Sequence, residues 1–301
     1  MNIYPRDMVG YGQKPPHAQW PNDAKIAVQF VVNYEEGGEN CILHGDEASE
    51  AFLSEIVGAQ PWPGQRHLSM ESIYEYGSRA GAWRLLRTFE ATQVPFTVFC
   101  VGMALERNPK PVIAMRDAGA EIASHGYRWI DYRHVPEAVE REHIQAAVRA
   151  HETLLGERPL GFYQGRTGDH TRRLCVEEGG FIYDADAYND DLPFYESVGD
   201  KTHLVVPYTL DTNDMRFASA QGFNSGTQFF DYLKDAFDVL YAEGETHPKM
   251  LSVGLHCRLA GRPARTAALK RFIEYIQSHD RVWCPRRIDI ARHWLRHFPC
   301  G

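Results

Sequence analysis

Residues 26–33, IAVQFVVN, are typical of a buried β-strand, and the run Asn33-Tyr34-Glu35-Glu36-Gly37 continues directly from them. The stretch is apolar, rich in β-branched side chains and too short for a helix. Adjacent side chains at a strand end point in different directions, so Glu35 and Glu36 can serve separately as base and substrate anchor. Like charges this close raise one another's pKa, which suits a general base. The alternative is that both carboxylates only solvate a loop.

Further strand-like segments also end in reactive residues. These segments lie at 95–101, 120–124, 160–163, 181–183, 203–208 and 250–255, and an eighth strand is predicted at 282–284. The residues that follow them include His125, Arg166, Asp186 and His256. A merely solvated surface gives no reason for reactive side chains to follow so many strands.

Helical patterns alternate with these strands and indicate a parallel α/β sheet. They cover residues 82–90, 111–118, 136–155, 171–178, 226–243, 263–278 and 286–297. The clearest is 226–243, where Phe229, Leu233 and Phe237 recur at helical spacing and form one apolar face. A barrel of seven or eight strands is the expected closure, with its chemistry at the carboxyl ends of the strands.

The chain length of 301 residues suits a single barrel domain spanning residues 1–301. A long insertion at about 39–69 separates the first strand from the first helix and is rich in glycine and proline. Connections this long in α/β units are usually functional, so the insertion is a candidate lid or subunit contact. We found no internal repeat and no linker that would divide the domain.

The composition is that of a soluble enzyme. A net charge of -8 with no basic stripe argues against nucleic acid or an anionic membrane as a partner. No apolar run is long enough for a membrane span, and the first residues lack the apolar core of a secretory signal. Six cysteines form no CxxC pair and are expected to be reduced thiols in the cytoplasm.

Four motifs carry a resemblance to a known family: NYEEG (33–37), SHGYRW (124–129), YDADAYNDDLPF (183–194) and LHCRLAGRPAR (255–265). The chain resembles the polysaccharide deacetylase superfamily and, within it, the bacterial allantoinases that work without a metal. The similarity covers essentially the full length, from YPRDMVGYG (4–12) to IARHW (290–294). It implies a distorted barrel, a homotetramer, and opening of the hydantoin ring of (S)-allantoin to give allantoate.

The chain departs from the metal-dependent members of that superfamily at the positions of the metal ligands. Those members carry two aspartates after the first strand, a base and a metal ligand, where this chain has Glu35 and Glu36. Their two histidine ligands stand four residues apart, and here His125 is followed by Trp129. An indole has no lone pair to offer, and a catalytic divalent ion wants about three protein ligands. The resemblance therefore implies no metal and no other cofactor.

The resemblance and the chemistry together assign roles. Glu35 or Glu36 activates water, with Glu35 favoured by its matching position, and His256 protonates the leaving nitrogen. Arg166 stabilises the oxyanion, as fixed cations do. Asp186 and its neighbour Asp184 could instead only cap loops or hold Arg166. The residues predicted to bind the flat polar ring are His125, Tyr127, Trp129 and Asp186.

Two other classes of function stay open at this point. One is a metal-dependent deacetylase of sugar or peptidoglycan substrates, which Trp129 disfavours. The other is a binding protein that keeps the pocket without turnover, which the retained Glu35, Glu36 and His256 disfavour. Other hydantoins and cyclic imides are not separated from allantoin by the sequence.

Overall fold

A single sheet organises the molecule. The structure is a computed structural model that describes residue 4 and residues 6–300, and within these residues it has nine strands. Eight follow the order β6-β7-β5-β4-β3-β2-β1-β8, curled into a half-barrel, and β9 pairs with β1. The strands are β1 (Ile26–Tyr34), β2 (Thr97–Cys100), β3 (Glu121–Ser124), β4 (Gly161–Phe162), β5 (Tyr183–Asp184), β6 (Phe194–Val198), β7 (Lys201–Val205), β8 (Lys249–His256) and β9 (Val282–Trp283).

Helices flank the sheet. They are α1 (Leu68–Tyr76), α2 (Ala82–Thr92), α3 (Gly102–Arg107), α4 (Lys110–Asp117), α5 (Glu137–Leu155), α6 (Thr171–Glu178), α7 (Gly226–Glu243), α8 (Pro263–Gln277) and α9 (Arg287–His297). A π-helical turn at Gly77–Gly81 joins α1 to α2. None of the helices within residues 6–300 is both long and apolar enough to cross a membrane.

Strand β1 is the longest fully buried strand of the sheet, as its apolar sequence predicts, although only β8 lies beyond it in the strand order. All nine of its residues are buried. It pairs in parallel with β2 on one side and β8 on the other, which places Asn33 beside both Phe99 and His256. The residues that leave β1 therefore emerge between those that leave β2 and β8.

The predicted α/β class and its parallel core are confirmed, and all eight predicted strands are present. Strand β6 was not predicted; it is half-buried and pairs antiparallel with β7 at the edge of the sheet. Helix α1 was also missed, because only Met70 and Tyr74 are buried along it and its apolar face is narrow. Helix α3 has six residues, too few for helical periodicity to show.

The segment between β1 and α1 corresponds to the predicted insertion. It contains one short 3-10 helix, Ile42–His44, and an isolated bridge between Ala48 and Pro63. Because α1 begins at Leu68, the last two residues of the predicted insertion belong to the helix. The insertion has little secondary structure, and Leu53 within it is buried.

Candidate active site

A cavity of about 470 Å³ lies at the carboxyl ends of the parallel strands. Its lining combines residues from the ends of β1, β3 and β8 with Phe52 and Leu53 from the insertion. Exposed Arg133 also belongs to the lining. Of the residues predicted from sequence, the cavity is lined by Glu35, His125, Trp129, Arg166 and His256.

Glu35 joins the two histidines of the cavity. Its Oε1 atom lies 3.2 Å from Nε2 of His125 and 3.4 Å from Nε2 of His256. Its Oε2 atom accepts a hydrogen bond of 2.7 Å from Nη1 of Arg258. The carboxylate is buried, which alone would favour its neutral form. Burial is outweighed by the charges of Arg258 and His256, which hold the pKa of Glu35 well below its usual range.

Asp214 orients His256. One carboxylate oxygen of Asp214 lies 2.6 Å from Nδ1 of His256, and the other accepts the backbone N–H groups of His256 and Ala260. The Nδ1 atom is thereby held as a donor, and Nε2 faces Glu35. Burial would lower the pKa of His256, but the charges of Glu35 and Asp214 raise it to about 9. His256 is therefore an imidazolium at neutral pH and can donate a proton.

Glu36 points away from the cavity, although it is adjacent to Glu35. Its side chain packs against the backbone of Gly77 in the π-helical turn, and its Oε2 accepts the backbone N–H of Glu35. Burial and the neighbouring charge of Glu35 raise the pKa of Glu36 to about 7, against the opposing charge of Arg258. Glu36 thus has the pKa of a general base without access to the cavity.

Trp129 forms an aromatic wall. Its ring stacks on Phe52 with a centroid separation of 5.9 Å, and only 4% of the residue is exposed. The guanidinium groups of Arg166 and Arg258 lie 5.1 and 5.0 Å from its ring centre. Trp129 thus lines the cavity as part of an aromatic wall, with Arg166 beside it.

Two residues predicted to bind substrate are not in the cavity lining. The hydroxyl of Tyr127 donates instead to Glu106, outside the cavity. The carboxylate of Asp186 accepts the backbone N–H groups of Gln164 and Gly165. Asp186 therefore holds the loop that carries Arg166, and it contacts the backbone of that loop.

Three residues near the cavity were not assigned to the site from the sequence, which for Arg258 left a subunit contact, a helix cap and catalysis open. Asp214 follows the strand predicted at 203–208, and Arg258 comes two residues after His256; their positions after strands were the available signal. Asn33 belongs to the opening motif. Its Nδ2 donates to Leu255 O and contacts the hydroxyl of Tyr208, while Oδ1 is buried without a partner among the described residues.

The residues at the superfamily's metal-ligand positions do not fit a metal ion. Glu36 is turned from the cavity, Trp129 offers no lone pair, and Arg258 brings a cation within 3.5 Å of Glu36. Within residue 4 and residues 6–300, no three or more His, Cys, Asp or Glu side chains are grouped to hold a metal.

Comparison with known proteins assigns the family. A family model described as "Polysaccharide deacetylase" matches residues 68–178. A Schizosaccharomyces pombe protein named "Putative polysaccharide deacetylase" is 45% identical over 98% of each chain. The chain belongs to the polysaccharide deacetylase family.

Two solved structures have a higher sequence identity to this chain than the fission-yeast protein has. A "probable Polysaccharide deacetylase from Pseudomonas aeruginosa PAO1" is 66% identical with a TM-score of 0.97, over 99% of this chain and 100% of that one. The structure of "Puue Allantoinase" is 64% identical with a TM-score of 0.97, over 99% of both chains. The fold and the family are common to both, whereas their names point to different substrates.

Proposed function

We propose that this protein hydrolyses a cyclic amide, and that its substrate is (S)-allantoin, opened to allantoate without a metal. The proposal is carried by the 64% identity to an allantoinase over 99% of both chains. The cavity fits that chemistry, because it combines an acid–base pair, Glu35 and His256, with the aromatic side chain of Trp129.

Glu35 acts as the base that activates water. Geometry decides between the two glutamates before pKa does, because a base must reach the proton that it removes. Only Glu35 of the pair lines the cavity. Its low pKa makes it a weak base in the resting site, and substrate binding that loosens its histidine contacts would strengthen it.

His256 acts as the acid. Water adds to the ring carbonyl as Glu35 takes its proton, and the C–N bond of the tetrahedral intermediate then breaks as His256 protonates the departing nitrogen. The proton on Glu35 returns to His256 over the 3.4 Å that separates Oε1 from Nε2. The ureido nitrogen carries negative charge better than a simple amide, so the reaction needs less electrophilic assistance. Arg166 stabilises the oxyanion from the cavity wall.

The ring is held by stacking and by hydrogen bonds. Trp129 supplies the face, and His125 supplies a polar contact beside Glu35. The Oδ1 atom of Asn33 is an acceptor, since Leu255 O fixes the opposite side of the amide as the donor. An N–H group of the ring would satisfy that atom, which otherwise stays buried and unpaired at a cost of about 1–3 kcal/mol.

A second function, deacetylation of a polysaccharide, is favoured by the names of the Pseudomonas and fission-yeast relatives. The poor set of metal ligands argues against it. Deacetylation by this family's chemistry requires a bound divalent ion, so the two proposals differ in their response to chelation.

One experiment separates the two. Protein treated with a chelator is assayed for allantoate release from each enantiomer of allantoin, with chitin oligomers in parallel, and its metal content is measured. We expect (S)-selective turnover, no acetate release and no stoichiometric zinc. Acetate release that chelation removes and zinc restores would establish the deacetylase instead.

A further inference from the structure

Arg258 is a fully buried cation at the back of the candidate site. It follows β8 by two residues, and none of its surface is exposed. Its Nη1 atom lies 2.7 Å from Oε2 of Glu35 and 3.5 Å from Oε1 of Glu36. One guanidinium thus faces two buried carboxylates, which would otherwise repel each other.

The same guanidinium also contacts the insertion and the aromatic wall. Its Nε atom donates to the backbone carbonyl of Leu53, and its centre lies 4.2 Å from the ring centre of Tyr74 and 5.0 Å from that of Trp129. Leu53 has φ of +55°, a left-handed conformation that is strained for a bulky residue. Such a conformation persists only where its surroundings impose it, and the bond from Arg258 is one such contact.

We propose that Arg258 is a positioning residue that supplies this site with a built-in cation where metal-dependent relatives use an ion. It contacts Glu36 and Trp129, which occupy two of the three metal-ligand positions. By binding Oε2 of Glu35, it leaves Oε1 directed at His125 and His256 on the cavity side. Because Arg258 also binds the carbonyl of Leu53, the orientation of the Glu35 carboxylate is coupled to the position of the insertion over the cavity.

The kinetic part of this inference rests on the proposed function. The variants are Arg258→Ala, Arg258→Lys and, as a matched control, Arg262→Ala. Arg262 also binds the insertion, through Glu55, and stacks on Tyr76 at 3.6 Å, but it belongs to neither the cavity lining nor the Glu35 contacts. Arg262→Ala therefore measures the effect of losing a contact with the insertion while the contacts of Glu35 stay intact.

For Arg258→Ala we expect kcat for allantoin to fall roughly 10- to 100-fold, the usual effect of removing a supporting partner of a site residue. KM should change less. Millimolar guanidinium should restore part of kcat, and zinc should not. Arg258→Lys keeps the charge but loses the bond to Leu53 and should lie between wild type and Arg258→Ala. Arg262→Ala should gain nothing from guanidinium.

A second measurement needs no turnover. Guanidinium at millimolar concentration should raise the Tm of Arg258→Ala by filling the vacated site, and should not raise that of wild type or Arg262→Ala. If wild type fails to release allantoate, the proposed function is wrong while this thermal test still decides the inference. No Tm rise, a zinc-restored kcat, or a folded Arg258→Lys with unchanged kcat would each overturn it.

Discussion

Two clusters of acids, arginine and histidine lie toward the carboxyl edge of the sheet, one of them buried and the other partly buried, and they differ in access to the cavity. The cavity cluster is Glu35, His125, Asp214, His256 and Arg258. The loop cluster is Arg172 of α6, Asp184 and Asp186 at and just after the end of β5, and His203 within β7. In the loop cluster, Arg172 binds Asp184 at 3.0 Å and also the backbone carbonyl of Asp186. His203 lies 3.4 Å from Asp184.

The two clusters contain the same types of side chain, but their carboxylates face different partners. Burial and the charge of Asp184 raise the pKa of Asp186, whereas the pKa of Glu35, which burial alone would raise, is lowered by the charges of Arg258 and His256. Asp186, however, directs both carboxylate oxygens to backbone N–H groups, and none of the loop cluster lines the cavity. Perturbed carboxylates therefore mark candidate sites only where a cavity reaches them. The four predictions that follow test this distinction.

The largest effect is expected at Glu35. Glu35→Gln should retain the fold and lower kcat by roughly two to four orders of magnitude, because it removes a positioned general base. Glu36→Gln, the adjacent control, should keep kcat within about tenfold of wild type on the same scale. Steady-state kinetics and Tm of both variants make the comparison. If the two results are exchanged, Glu36 is the base and the cavity described here is not the reacting one.

Asp214 should control the alkaline limb of the activity. His256 donates its proton only while it is charged, so kcat/KM should fall as pH rises through about 9. Asp214→Asn removes one of the charges that raise the pKa of His256, and the limb should move to lower pH. We also expect kcat to drop roughly 10- to 100-fold. A pH profile of both proteins measures the shift, and coincident alkaline limbs would separate His256 from the acid step.

Trp129→His should act mainly on binding. It removes a stacking face worth about 0.5–1.5 kcal/mol beyond area burial, so KM for allantoin should rise roughly two- to tenfold, with a smaller change in kcat. The new imidazole should not create a zinc-dependent deacetylase, because Glu36 remains turned from the cavity. Kinetics with and without zinc test both statements. An unchanged KM would reduce Trp129 to a packing role.

The smallest change in activity is expected in the loop cluster. Asp186→Asn leaves one backbone N–H facing an amide donor and should destabilise the fold by about 1–3 kcal/mol. Because Asp186 lies outside the cavity, kcat/KM should remain within about tenfold of wild type at temperatures where the variant is folded. Urea unfolding measures the change in stability, and steady-state kinetics measure kcat/KM. A loss comparable to that of Glu35→Gln would mean that the loop cluster takes part in the reaction.

The sequence predicted the sheet well because buried parallel strands are short apolar runs, as in IAVQFVVN. It also placed Glu35, His125 and His256 at one sheet edge, since β1, β3 and β8 all end there. The direction in which each side chain points was harder to predict. Tyr127 and Asp186 stand at promising positions, but their partners, Glu106 and the Gln164–Gly165 backbone, are known only from tertiary packing.

Arg258 and Asp214 illustrate a second difficulty. Their contacts join residues far apart in the chain, such as Arg258 with Leu53 and Asp214 with His256. No local spacing encodes such pairs. The single-domain organisation, homotetrameric assembly and cytoplasmic location remain predictions.

The π-helical turn sets the rotation of α1 about its own axis relative to α2. The turn holds one more residue than a regular α-helical ladder, and each residue advances a helix by about 100°. Tyr74, on α1, lies before the turn, and its ring stacks on Arg258. A deletion that returned 77–81 to regular α-helix would rotate Tyr74 away from that guanidinium without altering any cavity residue. The angular setting of α1 is therefore as much a part of the site as the side chains that touch it.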